Sequence, residues 1–98
     1  MSDKAWKACE RAIAKILGGK RVGATGTNSP DVVTDRFAVE VKMRKALAGW
    51  ILVDMWQAED NAGDKLPLLI YHIAGLRHEN DLVILRLGDF VRLTDSQE

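Results

Sequence analysis

The 98-residue sequence predicts a single α/β domain, a mixed central β-sheet flanked by helices. Three observations carry this. Apolar residues recur at three- and four-residue steps over 3–17 and again over 45–62, the period of a helix. Short runs within 30–43, 66–74 and 81–87 are rich in β-branched and large apolar residues, and the first of them alternates with period two. The order helix, strands, helix, strands suits one sheet with helices packed on it.

The first helix rests on Trp6, Cys9, Ile13, Ile16 and Leu17, with Lys4, Lys7, Arg11 and Lys15 between them. Ser2 or Asp3 can cap its start, and Gly18-Gly19 stops it. "KRVGATGTNS" follows, a loop after a short strand near 20–24. Its glycines match neither a P-loop nor a dinucleotide fingerprint, because no GK[ST] and no strand–helix context accompany them. In "PDVVTDRFAVEVKMR" (30–44), Val32-Val33 and Phe37 to Met43 flank the turn Thr34-Asp35-Arg36, which reads as a β-hairpin. The second helix aligns Leu47, Ile51, Met55 and Ala58 in one stripe, widened by Leu52 and Trp56. Gly49 weakens its first turn, so the helix is expected from near Trp50. Gly63-Asp64 ends it. "LPLLIYHIA" and "DLVILRL" are strands joined by the polar loop "LRHEND". "GDFVRL" (88–93) is a short terminal helix or turn, and "TDSQE" a frayed tail. Trp6, Trp50 and Trp56 lie on helices at core spacing and are expected as core or dimer contacts rather than base-stacking platforms.

The composition is that of an ordinary soluble globular chain, 47% hydrophobic and 29% charged. No apolar run approaches membrane-spanning length, and "MSDKAWKACER" is not a signal peptide. One cysteine, Cys9, excludes an internal disulfide and fits the cytosol. Its apolar neighbours mark it as a structural thiol. The net charge of zero hides an asymmetry. Residues 1–49 hold ten Lys and Arg against five acids, and residues 50–98 hold four against nine. A basic half can hold an anionic partner while the whole chain stays neutral.

The hairpin carries the chemistry. Side chains alternate along a strand, so Phe37, Val39, Val41 and Met43 point one way and Ala38, Glu40 and Lys42 the other. If the hairpin closes through Thr34-Asp35-Arg36, Asp31 lies near Glu40. Two carboxylates suit Mg²⁺, a hard cation with oxygen ligands, and the Val41 carbonyl adds a further oxygen. A lysine beside them can orient a water or stabilise developing negative charge. Glu-x-Lys on an amphipathic strand is common by itself. Asp after Pro30, a hairpin, and Glu-x-Lys on its polar face form a more specific pattern. His72 in a strand reads as structural and His78 as an exposed loop residue. No Cys/His cluster marks a zinc site.

Pro30, Asp31, Glu40 and Lys42, after a helix with an internal Glu10, resemble the signature of the PD-(D/E)XK nuclease superfamily. The small size, the Gly/Thr/Ser-rich loop before the motif and the basic "KMRK" after it are similar to archaeal-type Holliday junction resolvases and compact phage-borne nucleases. The likeness spans roughly residues 6 to 93. It implies a restriction-endonuclease-like core and a Mg²⁺-dependent endodeoxyribonuclease, with Mn²⁺ able to replace Mg²⁺. The implied substrate is branched DNA, above all the four-way junction; a flap or duplex nuclease is the alternative, and a non-catalytic DNA-binding module a further one. In this resemblance Asp31 and Glu40 ligate the metal with the Val41 carbonyl, Lys42 positions or polarises the attacking water, and Glu10 completes the metal site directly or through water. Gln57 matches a polar helix residue placed beside the lysine, and it equally fits a solvated face shared with Trp50, Asp54 and Asn61. A hydroxyl from the preceding loop joins the site, with Thr25, Thr27 and Ser29 competing. Lys20, Arg21, Thr25, Arg44 and Lys45 would hold the phosphate backbone. A junction is two-fold symmetric and needs two cuts, which a C2 homodimer supplies. "LPLLIYHIA" and the tryptophan-bearing helix are candidate interface surfaces. The setting implied is the cytoplasm of a bacterial or archaeal cell, or of a phage's host.

Overall fold

Helices and strands alternate in the predicted order. The computed structural model describes residues 3–23 and 28–95. They form α1 (Asp3–Leu17), β1 (Lys20–Arg21), β2 (Val32–Val33), β3 (Ala38–Val39), α2 (Gly49–Asn61), β4 (Leu69–Tyr71), a 3₁₀ turn (His78–Asn80), β5 (Leu82–Ile84) and α3 (Leu87–Asp95). The chain falls into two compact units, Met1–Lys45 and Ala46–Glu98.

In the first unit α1 ends in a Schellman motif. The Gly19 amide donates to the Ala14 carbonyl at 2.8 Å and the Gly18 amide to Lys15 at 3.3 Å, with Gly18 at φ +69. Gly19 must be glycine for a second reason. A Cβ there would collide with the Val33 carbonyl and stand 2.7 Å from Thr34 Cγ2, because the chain leaves the helix directly against β2. The strands form an antiparallel sheet in the order β1-β2-β3, with Arg21 opposite Val32 and Val32 opposite Val39. Thr34 closes the β2–β3 turn. Its hydroxyl accepts the amides of Arg36 and Phe37, and its own amide donates to the Phe37 carbonyl at 2.9 Å. α1 packs on β1 and β2, and Val32 is fully buried beneath it. That burial is worth roughly 1.5–3 kcal/mol.

In the second unit β4 and β5 pair antiparallel, Leu69 with Ile84 and Tyr71 with Leu82, and α2 packs on β4. Met55 is the buried residue of α2, flanked by half-buried Ile51 and Ala58. Arg86 forks onto both carboxylate oxygens of Glu59 at 3.0 and 3.1 Å. Among the described residues no helix is long and apolar enough to cross a membrane.

Several expectations change. Among the described residues the strands make two separate antiparallel sheets, not one mixed sheet. Each sheet is closed by local hairpin connections, whereas parallel pairing would need a long crossover. The strands are also shorter than their apolar runs, and the terminal helix runs on to Asp95 with Thr94 bonded back to Phe90 and Val91. Trp6, Trp50 and Trp56 are exposed rather than core residues. The buried stripe of α1 is centred instead on Glu10 and Ala14, and Cys9 is half-buried. Ser2 and the end of the tail lie outside the described residues.

Candidate metal and phosphate site

Asp31 ties the three strands of the first unit together. Its amide donates to the Val39 carbonyl at 2.9 Å, and its carbonyl accepts the Val22 amide at 3.0 Å. In a regular strand the N–H and C=O of one residue point to the same neighbour. Here they point to opposite neighbours, so the chain twists at Asp31 where the β2 ladder begins. The side chain completes the arrangement. Asp31 Oδ2 accepts the amide of Val41 at 2.8 Å. A carboxylate thereby stands in for the backbone acceptor that would have continued β3, which explains why β3 stops at Val39. The same bond sets the Asp31 carboxylate against the peptide that links Glu40 to Val41. The Asp31 amide reaches Val39, which already stands opposite Val32, so the pairing is irregular just before β2, and it is the carboxylate bond to Val41 that brings Asp31 beside Glu40.

The predicted alternation holds past the end of the ladder. Residues Phe37, Val39, Val41 and Met43 are half-buried, and Ala38, Glu40, Lys42 and Arg44 are exposed. Glu40 and Lys42 share one face, with Lys42 Nζ 3.3 Å from Glu40 Oε1. Both side chains are more than half exposed, at 59% and 65%. A pair this open is worth little, so the ammonium can leave the carboxylate for another anion at small cost.

Glu10 sits elsewhere in the sheet's layering. Cross-strand partners share a face, so Arg21, Val32 and Val39 look toward α1, and Ala38 and Glu40 look away by alternation. Glu10 enters the α1 side. It is 1% exposed, and its Oε1 accepts Arg21 Nε at 2.7 Å. Its Oε2 is buried and has no hydrogen-bond partner among the described residues. Arg21, expected at the phosphate backbone, is thus engaged with Glu10, its guanidinium 6.0 Å from the Trp6 ring centre. The sequence held a signal for this burial: Glu10 stands four residues after Trp6 and three and four before Ile13 and Ala14, on the helix's apolar side. Lys20 and Lys45 are exposed, and Arg44 donates to the Met43 carbonyl at 3.2 Å while its guanidinium stays on the surface. Thr25 and Thr27 lie outside the described residues; Ser29 is half-buried. Gln57 lies on the exposed face of α2 in the second unit.

The donors fit a hard divalent cation. Asp31 uses one acceptor position of about four on Val41, and Glu40 is open to solvent, leaving carboxylate oxygens of the kind Mg²⁺ takes alongside water.

The second unit holds polar clusters that the sequence reading missed. Tyr71 donates to Asp54 Oδ2 at 2.6 Å and meets Trp50 edge-on at 5.2 Å. Its phenol is pushed up to about 12, first by burial, then by the hydrogen bond to Asp54 and that carboxylate's charge. His72 and His78, read separately as structural and exposed, both reach Asp81. No protein-family model, curated protein or solved structure matches this chain.

Proposed function

We propose that the β2–β3 hairpin is the metal site of an endodeoxyribonuclease that hydrolyses phosphodiesters in branched DNA, most specifically as a Holliday junction resolvase. The observation that carries this reading is the Asp31 carboxylate fixed on the Val41 amide, beside an exposed Glu40 and Lys42 on one face. In this reading Asp31, Glu40 and the Val41 carbonyl hold Mg²⁺, with Mn²⁺ as a substitute, whereas Glu10, buried on the α1 side of the sheet and bonded to Arg21, is not a ligand of this ion. The bound cation would lower the pKa of a water and screen charge on the scissile phosphate. Lys42 swings from Glu40 to orient the attacking water or to meet the growing negative charge. Lys20, Arg44 and Lys45 hold the backbone without reading sequence, and recognition rests on DNA shape.

α1 packed on an antiparallel sheet supports a restriction-endonuclease-like core. Exposed Ile70, Ile73, Leu82 and Val83 in the second unit support a homodimer, which a two-fold junction requires. The proposed setting is cytoplasmic, bacterial, archaeal or phage-encoded, where Cys9 stays reduced.

The test incubates the full chain with a synthetic four-way junction or a linear duplex, in Mg²⁺ or EDTA, beside Glu40→Ala and Lys42→Ala. Metal-dependent junction cutting, lost in both variants, is expected. Equal cutting of junction and duplex would leave a flap or duplex nuclease. Binding without any cutting would leave a DNA-binding module.

A further inference from the structure

We propose that His72, His78 and Asp81 form a binding site for a borderline divalent transition metal of the zinc, nickel and copper class. The proposal is independent of the nuclease reading and uses residues of the second unit alone.

The hairpin brings the three together. β4 pairs with β5 in a register that sets Tyr71 opposite Leu82. One step further out, His72 stands opposite Asp81. The connecting loop then folds back through the 3₁₀ turn, with the Asp81 amide donating to the His78 carbonyl at 3.0 Å. This puts His78 one turn before Asp81. His72 Nδ1 lies 2.7 Å from Asp81 Oδ1, and His78 Nδ1 lies 3.1 Å from Oδ2. The two imidazoles are side by side, their centres 4.3 Å apart. Each ring therefore aims a nitrogen at its own oxygen of one shared carboxylate.

The donor set and its spacing identify the ligand. Two imidazole nitrogens and a carboxylate suit zinc, nickel or copper and are a poor set for Mg²⁺. The three donor atoms lie within 4.8 Å of one another. Ligands on a tetrahedral ion at about 2.0–2.2 Å stand roughly 3.3–3.6 Å apart, so modest side-chain rotations close the set. The rotations are free to happen on the histidine side, since His78 is 84% exposed and His72 is 37% exposed. Asp81 is only 13% exposed and anchors the site. Arg77, in the same loop, pairs with Glu79 at 3.5 Å. Three protein ligands leave a position open to water or to an outside group.

The probe is Co²⁺ added to the full chain, read by its visible d–d absorption, with Zn²⁺ competition. With Mg²⁺ in excess to fill the hairpin site, one Co²⁺ per chain is expected, displaced by Zn²⁺ and not by the Mg²⁺. His78→Ala, at a largely exposed side chain outside the core, should weaken binding by roughly tenfold or more. Asp81→Asn should do the same. Glu40→Ala should leave it unchanged. Absence of saturable binding, binding retained in His78→Ala, or binding removed by Glu40→Ala would each overturn the proposal.

Discussion

Replacing Arg21 by alanine should cost the first unit about 3 kcal/mol, the lower end of the range for stranding one member of a buried ion pair. The magnitude comes from Glu10. Its carboxylate is 1% exposed and has one partnered oxygen, bonded to Arg21 Nε at 2.7 Å. Without the guanidinium neither oxygen has a partner among the described residues. The lower end applies because the Arg21 side chain is itself 23% exposed, so water can follow the deletion part of the way in. Glu10→Gln should be milder, about 1–2 kcal/mol, since its amide oxygen still accepts from Arg21. Replacing both, Glu10→Leu with Arg21→Met, should recover most of the loss, because an apolar pair of similar volume needs no desolvation of charge. The assay is a urea titration followed by amide exchange over α1, which isolates this unit's unfolding from the other's. A loss below about 1 kcal/mol for Arg21→Ala would refute the argument. So would a double variant no better than the single one.

Three further outcomes follow from the same structure. The chain has one tyrosine, so its phenolate absorbance is a clean signal: Tyr71 should ionise near 12, and Asp54→Asn should bring it down without restoring the ordinary value, because burial remains the larger cause. The sign is that of a raised acid, so the Tyr71 contribution to stability is whole below 10 and is lost as pH rises through 12. The Arg86 fork, chiefly by its hydrogen bond, holds Glu59 below the ordinary 4.5; the stability difference between wild type and Arg86→Ala should therefore persist above that pH and fade as pH falls through the lowered value, read as converging urea midpoints. Gly19→Ala should cost about 1–3 kcal/mol by thermal melting, as forced overpacking against the Val33 backbone does, whereas relief of the clash by a larger shift would show as an unchanged melting point.

What was legible in the sequence followed from period and punctuation. Gly18-Gly19 ends α1, and Thr34-Asp35-Arg36 turns the hairpin, because both depend on local chain geometry. The alternation over residues 37–44 was legible for the same reason and places Glu40 beside Lys42. What was not legible depends on partners far along the chain. Glu10 lies on the helix's apolar side, yet only the approach of β1 explains a buried carboxylate, since Arg21 comes with it. His72 and Asp81 are nine residues apart and meet only because β4 and β5 pair in one register. The single mixed sheet failed as an expectation because apolar runs report burial and not strand partners, and strands that are neighbours in sequence tend to pair with each other.

Asp31 is where the structural and chemical duties of the hairpin meet, and this governs how any loss of activity should be read. Its amide, its carbonyl and its carboxylate each hold a different backbone group, on Val39, Val22 and Val41. Only the carboxylate bond depends on the side chain. Asp31→Ala removes a metal ligand, but it also releases the Val41 amide, and with it the placing of Glu40 and Lys42. An inactive Asp31→Ala would therefore say nothing about metal. Asp31→Asn keeps an acceptor for the Val41 amide and removes the negative charge. If Asp31 ligates Mg²⁺, the asparagine variant should keep the amide-exchange protection of Val41 and lose DNA cutting. If Asp31 serves only as a backbone acceptor, the same variant should cut as the wild type does. Measured together, exchange at Val41 and cleavage of the junction separate the two duties.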